Sequence, residues 1–563
     1  MKKSFLPVLT LITLITVVLS GCTKLDTPVE SQYTPITPVT QADYTADLGA
    51  IYTQLAHNPA GTRYAVEYWR LQELSTDEAI IPARDGNYDD GGQYRFLHLH
   101  TWTADHPTVT SVWQWGFQAI NTCNTMLQLF APAANTPMKT TAIAEARAMR
   151  DLFYFFMMDL YGNIPVVSDT VPSKTTAPTL PRAQVFQYIE NDLKAILSTL
   201  PTATGAATYG HATKWMAFAL LEKMYLNAAV YTNTDRSADA IAMADSILIN
   251  GPYSLDANYG AVFAPTNGPQ IKETIFAVPY DANQIQGNQF TRYGFAAYVY
   301  PLYNLPAAGS IAMSTDSGFY HQNFVLPGDT RDTFWLHGQQ YYFPGQAIQT
   351  SLYPASILPY VQAYYPIAVY PVTNAALDAS YSGPSPNAYT IWPIVYRDSL
   401  VLRGDPIKMD VGDDVLAQCE GIRSKKYYPD PNENAQTQDQ NNDVPVFRLA
   451  DVLLMKAEAL FRANMTSTTV KGEVQTPEVL TNKVRTRVGA QLATSSLTVD
   501  SLLSERAREF AWEGWRRNDL IRFGQFEGSW GFKKTDPGPT REVFPVPNME
   551  LSTNQKLVQN PGY

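Results

Sequence analysis

Cysteine is scarce in this chain: 563 residues hold only Cys22, Cys123 and Cys419. Three thiols cannot build the disulfide framework of a small secreted scaffold, so the body must be held by its own core. Spacing leaves open whether Cys123 and Cys419 pair, and Cys123 falls in a helix-like stretch where a buried thiol is the commoner outcome. Basic residues are outnumbered, 41 against 52 acidic ones, giving a formal net charge of -11 with no Lys/Arg cluster. Phosphate recognition needs a basic footprint, so nucleic acid is excluded as the partner and a neutral or weakly charged ligand fits better. Histidines number only 7, and HExxH, GxSxG, Walker and CxxC patterns are absent. No nucleophile, metal centre or cofactor is therefore signalled. His98 and His100 could share a strand face but lack a third zinc ligand. Asp85, Asn87 and Asp89 alternate as in a calcium loop. Asp90 stands at the glycine position and Phe96 at the bidentate glutamate position, which excludes an EF-hand and leaves a looser calcium site open.

The first residues read as a targeting signal: Lys2 and Lys3 precede an apolar run from Phe5 to Leu19, too short for a membrane span. It ends in Leu19-Ser20-Gly21-Cys22, which resembles the lipobox of bacterial lipoproteins. Cleavage there makes residues 1–21 a signal peptide and leaves Cys22 as a lipid-carrying N-terminus; the alternative is an ordinary secretory peptide that happens to end near a cysteine. Several acyl chains anchor a soluble domain where one would not. Residues 22–40 are rich in Thr and Pro, which suits an extended tether.

The remaining residues, 41–563, divide by pattern. From 41 to 251 helical periodicity dominates, clearest from Thr213 to Tyr231, where Ala217, Leu220, Leu221, Met224, Tyr225 and Ala228 share one face. A second helix from Arg236 to Ile249 stops at Gly251-Pro252, and others are predicted at Ala183–Leu200, Val109–Phe130 and Thr140–Leu160. From 252 to 445 the composition turns to Gly, Pro, Asn and Tyr, with strand-like pieces at Thr274–Val278 and Tyr364–Tyr370. Helical pattern returns over 446–563, at Phe447–Asn464 and Val499–Phe523. The fold class predicted is mainly α: a tetratricopeptide-like scaffold of helix pairs with an irregular, loop-rich insertion carrying short strands.

Several segments, in order, resemble the SusD/RagB family of outer-membrane nutrient-binding lipoproteins. They are the ARAMRDLFYF helix at 146–155 running into LYGNIP at 160–165, and YSL at 253–255 followed by ETIFAV at 273–278. RLADVLLMKAEAL follows at 448–460, then ERAREFAWEGWRRNDLIRFG at 505–524, and FPVP with a terminal NPGY at 544–563. In the 505–524 stretch Arg506, Glu509, Glu513 and Arg516 are three or four apart and can pair along one helix, with Phe510 and Leu520 facing inward, a structural arrangement. The resemblance implies a surface-exposed, lipid-anchored outer-membrane protein that binds a nutrient, most often a glycan. It also implies delivery to a TonB-dependent SusC-like transporter, without catalysis or a cofactor. A peptide-binding member of the same family and a surface glycosidase are the alternatives, and a purely structural subunit sealing the transporter is a third.

A glycan site needs flat aromatic rings flanked by polar groups for the hydroxyl rim. The loop after Ser75-Thr76-Asp77-Glu78 offers Asp85, Asn87, Tyr88, Asp90, Tyr94 and Arg95, with a solvated turn as the competing account. Within the insertion Trp335 and Tyr341 are the preferred platforms, the competing account being that the insertion's aromatics form its own small core.

Overall fold

The computed structural model describes residues 37–57, 61–167, 169, 176–295, 303–340, 394–413 and 415–563. Cys22 and Tyr341, and the strand expected at 364–370, lie outside the described residues. Helices open where the sequence supplies caps. Thr40 accepts from the Asp43 amide while the Asp43 carboxylate accepts from the Thr40 amide, starting α1 (Gln41–Ala56). His106 precedes Pro107 at the head of α2 (Pro107–Phe130), and Thr136 precedes Pro137 at the head of α3 (Pro137–Tyr161). Thr213 caps α5 (Lys214–Leu226), Thr476 caps α8 (Pro477–Arg487) and Thr498 caps α9 (Val499–Phe510). Between these lie α4 (Arg182–Ile196), α6 (Ser237–Asn250) and α7 (Leu449–Arg462).

Helices consecutive among these pack as hairpins, α2 on α3, α3 on α4, α5 on α6 and α7 on α8, and α6 packs on α7 across the loop-rich stretch that separates them in sequence. The stack shares one core, in which α3 is buried on all sides from Ala148 to Tyr161. At Gly116 of α2 any Cβ would collide with the Met157 thioether of α3, so glycine is what lets these two helices approach. The mainly helical class read from the sequence is the class observed. Among the described residues no helix is long and apolar enough to cross a membrane, and Cys123 and Cys419 are both buried thiols.

The loop-rich stretch is clamped at its two ends and in its middle. Strand Thr274–Val278 pairs antiparallel with Val444–Arg448, Val278 opposite Val444 and Phe276 opposite Phe447, closing the segment back onto the helices. Ser314–Thr315 pairs with Ala79–Ile80, tying the same segment to the loop that follows Glu78. Trp335–Leu336 pairs with Arg423–Ser424.

The predicted helix Val499–Phe523 is two helices, α9 and α10 (Arg516–Arg522), and the reason is tertiary. Trp512 and Gly514 adopt left-handed φ of 64° and 82°. The turn is held there because the Trp512 amide donates to Glu78 and the Gly514 amide donates to Glu73 Oε1 at 2.6 Å. Nor do the charged residues pair along one helix as expected. Arg506 donates to Asp451 and Asp519, each at 2.8 Å, and Arg516 grips Asp77 with two bonds of 2.7 and 2.6 Å. Glu509, fully buried, accepts from Arg331 at 2.9 Å, Arg448 at 2.6 Å and Arg487. Glu505 takes Arg331, Arg485 and Arg508, and Glu513 takes Arg448 and Lys426. The guanidiniums around them hold Glu509 far below the usual carboxylate range and bring Glu505 down to about 2, although burial alone pushes both upward. The structural reading of the motif stands; its partners come from across the chain.

Candidate functional site

Arg84-Asp85-Gly86-Asn87 closes a tight turn, with the Arg84 amide donating to the Asn87 carbonyl at 2.8 Å and the reverse bond at 3.0 Å. Asp85 and Gly86 sit at φ of 48° and 88°, both left-handed, which an Asp-Gly pair tolerates. The Asp85 amide donates to Asp410 Oδ1 at 2.9 Å and the Asn87 side chain reaches Asp413 at 3.4 Å, so the turn is pinned from the far side of the chain. Asp85, Asn87 and Asp90 are exposed, and Tyr88 and Arg95 are half-buried. The Tyr88 hydroxyl donates to the Ser310 carbonyl, and Arg95 Nη1 donates to Asp89 Oδ1 at 2.8 Å. Beneath the turn Arg84 is fully buried, donating to the Ala417 carbonyl at 2.7 Å, and burial beside the Arg423 guanidinium pushes it down to about 9.

Tyr94 is buried, and its ring is one wall of a stack that sequence reading did not find. Arg70 lies over the Tyr94 ring at 5.1 Å and over the Tyr293 ring at 5.1 Å, and Arg292 covers Tyr293 at 5.4 Å. Arg70, Tyr293 and Arg292 are half-buried. Backbone bonds bring the column to the Tyr88 loop: Ser310, which accepts from Tyr88, donates through its amide to the Arg292 carbonyl at 2.6 Å, and the Met313 amide donates to the Tyr293 carbonyl at 2.7 Å. The result is a largely buried row of rings and planar guanidiniums, open at its edge, beside exposed carboxylate and amide groups. Such a row offers flat faces for stacking and a rim of hydrogen-bonding groups. No signal in the sequence singles out Arg70 and Tyr293, which sit on five-residue helices at Trp69–Glu73 and Phe290–Gly294.

Trp335 is placed differently from the expectation. It is 6% exposed and packs edge-on against Phe324 at 5.1 Å, with Phe319, Tyr320 and Trp512 around it. It is a core ring, although of the shared core and not of a small core of the insertion's own, since Trp512 from the C-terminal helical part packs against it. His98 and His100 are buried too. His100 Nδ1 lies 2.5 Å from Asp536, Nε2 meets the Ser75 carbonyl at 2.9 Å, and the ring stacks on Phe526 at 4.5 Å. Burial pushes His98 down to about 3 and His100 to about 4.

A stack of helical hairpins carrying an irregular, strand-clamped region defines the class of the SusD-like proteins, and the comparisons with known chains agree. A family model described as "SusD family" matches residues 410–563, and one described as "Starch-binding associating with outer membrane" matches residues 33–226. The chain belongs to the SusD/RagB family. It is 25% identical over 453 residues to the starch-binding protein SusD of Bacteroides thetaiotaomicron, covering 75% of this chain and 72% of that protein. Among solved structures it is similar to surface glycan-binding protein A from Bacteroides uniformis, at 19% identity and a TM-score of 0.67, covering 92% of this chain and 99% of the other. It is likewise similar to surface glycan-binding protein A from Bacteroides thetaiotaomicron in complex with laminarihexaose, at 16% identity, a TM-score of 0.63 and coverage of 93% and 100%. At these identities the structural likenesses speak for the fold.

Proposed function

We propose that this protein is a cell-surface glycan-binding lipoprotein of the outer membrane. In this reading it is held by acyl chains on Cys22 and passes oligosaccharide, chemically unchanged, to a TonB-dependent SusC-like transporter. The observation that carries the binding role is the Tyr94–Arg70–Tyr293–Arg292 column at the edge of the Tyr88 loop. Its exposed neighbours Asp85, Asn87 and Asp90 supply acceptors and donors for hydroxyls, while Tyr88 and the Tyr293–guanidinium stack supply flat surface. Relatives whose names record starch and laminarihexaose as ligands support the glycan class.

A glycan array followed by calorimetry on the purified protein tests the reading. Oligosaccharide binding that weakens in Tyr88→Ala and Tyr293→Ala at unchanged melting temperature supports it. An array without hits, alongside binding of peptides, would replace the glycan with a peptide. Release of reducing ends that one Asp or Glu substitution abolishes would make the protein a glycosidase instead.

A further inference from the structure

A cleft of about 400 Å3 shares no lining residue with the Tyr–Arg column and opens between segments 316–322 and 524–531. Phe319 and Leu520 supply apolar lining, and Asp77, Asp316, Gln525 and Trp530 supply polar lining. Its volume is at the small end of the roughly 300–1,000 Å3 found for ligand pockets, which suits one sugar-sized ring and not an oligomer.

The polar groups around it are incompletely used. Arg516 spends Nε and Nη2 on Asp77, and its guanidinium lies over the Phe319 ring at 5.2 Å. Its third nitrogen, Nη1, is buried and has no hydrogen-bond partner among the described residues, and the same holds for Trp530 Nε1. A buried donor left unpaired is costly, so Trp530 Nε1, on a residue that lines the cleft, calls for a partner that the described residues do not themselves provide. Acceptor capacity is also present. Asp316 Oδ1 accepts the Gly318 amide at 2.8 Å, whereas its Oδ2 is turned toward Gly531. A Cβ at Gly531 would collide with that carboxylate and come within 3.1 Å of His98 Nε2, and its φ of 46° also favours glycine. The cleft wall is thus kept as bare backbone where Asp316 and His98 converge.

Charge narrows the ligand. Arg516 neutralises Asp77, which leaves Asp316 as the uncompensated carboxylate of the lining and disfavours an anion. Burial raises the Asp316 carboxyl, with the neighbouring Asp77 adding to the effect. We propose that this cleft is a second binding site, taking one neutral hydroxylated ring that meets the apolar lining of Phe319 and Leu520 by its edge. Its hydroxyls accept from Trp530 Nε1 and donate to Asp316.

Saturation-transfer NMR on the full chain with D-glucose, D-galactose, D-mannose and N-acetyl-D-glucosamine tests this. At least one probe is expected to bind. Asp316→Asn and Trp530→Phe, which keep shape while removing a charge and an N–H, should each weaken it by about tenfold. Tyr293→Ala should leave monosaccharide binding in place while weakening oligosaccharide binding. Absence of transfer from all four probes overturns the proposal, as does wild-type binding in both cleft variants or loss of monosaccharide binding in Tyr293→Ala. Should Asp316→Asn lower the melting temperature, Trp530→Phe alone decides. Failure of every oligosaccharide to bind would remove the glycan-capture function and leave this cleft standing. Oligosaccharide binding without any monosaccharide signal would do the reverse.

Discussion

Replacing Glu509 by glutamine alters one side chain by a single charge and tests whether the buried ion lattice holds the molecule together. Glu509 is fully buried and meets three guanidiniums, those of Arg331, Arg448 and Arg487. Glutamine of the same shape keeps one carbonyl acceptor but turns an NH2 toward cations that already have N–H groups to spare. All three guanidiniums keep other carboxylates, Arg331 those of Asp329 and Glu505, Arg448 those of Glu273 and Glu513, and Arg487 that of Glu273, so the lattice is weakened and not emptied. Removing one partner from a buried pair typically costs about 3–5 kcal/mol, since the remaining charge stays desolvated. Glu509→Gln is therefore expected to lose about that much, a large share of a stability of roughly 5–15 kcal/mol. Urea denaturation followed by far-UV circular dichroism reads the loss as a shift of the midpoint at unchanged slope. A loss under about 1 kcal/mol, the scale of an exposed pair, would refute the reasoning.

Trp335→Ala should cost about 3–5 kcal/mol of stability, as expected for a buried large ring, and a weakened glycan affinity with no such loss would return Trp335 to the binding surface. Tyr293→Ala should lower oligosaccharide affinity by about tenfold, from roughly 1–1.5 kcal/mol of lost ring contact; calorimetry showing equal affinity would remove the column from the site. His98, neutral in the folded state at about 3, takes up a proton on unfolding once pH drops below its ordinary value of 6.5. Its contribution is present above that value and is lost as pH falls toward 3, so His98→Asn should cut proton uptake on unfolding at pH 5 by about one. A pH slope of stability identical to wild type would show that His98 is not the titrating group. Cys22→Ala should abolish incorporation of a labelled fatty acid in the native host; label retained in the variant would place the anchor elsewhere.

What was legible in the sequence was whatever depends on neighbours in the chain. Thr213 and Gly251-Pro252 mark helix ends because capping is local, and Thr274–Val278 shows its strand through composition, whereas the helix Pro477–Arg487 was not read from the sequence. The break at Trp512 was hidden, because the carboxylates that hold it, Glu73 and Glu78, are far away in sequence and the stretch itself has helical periodicity. Pairing at three- and four-residue spacing suggested bonds along the helix, yet full burial sends Arg506, Glu509 and Arg516 to other elements. At the site, the Asp85–Arg95 loop could be picked out by its turn residues. The stack of Arg70 on Tyr94 and Tyr293 could not, since it forms only when two short helices from distant parts of the chain meet.

The charge lattice bears on how the loop-rich stretch can change. Glu273, Arg331 and Lys426 all belong to the loop-rich stretch, and all three insert into the network around Glu509 and Glu513. Cutting that stretch out would strand acids and bases inside the helical stack, so it cannot be exchanged as a cassette. New specificity must arise by rewriting the sequence between these rivets, with the rivets themselves left in place.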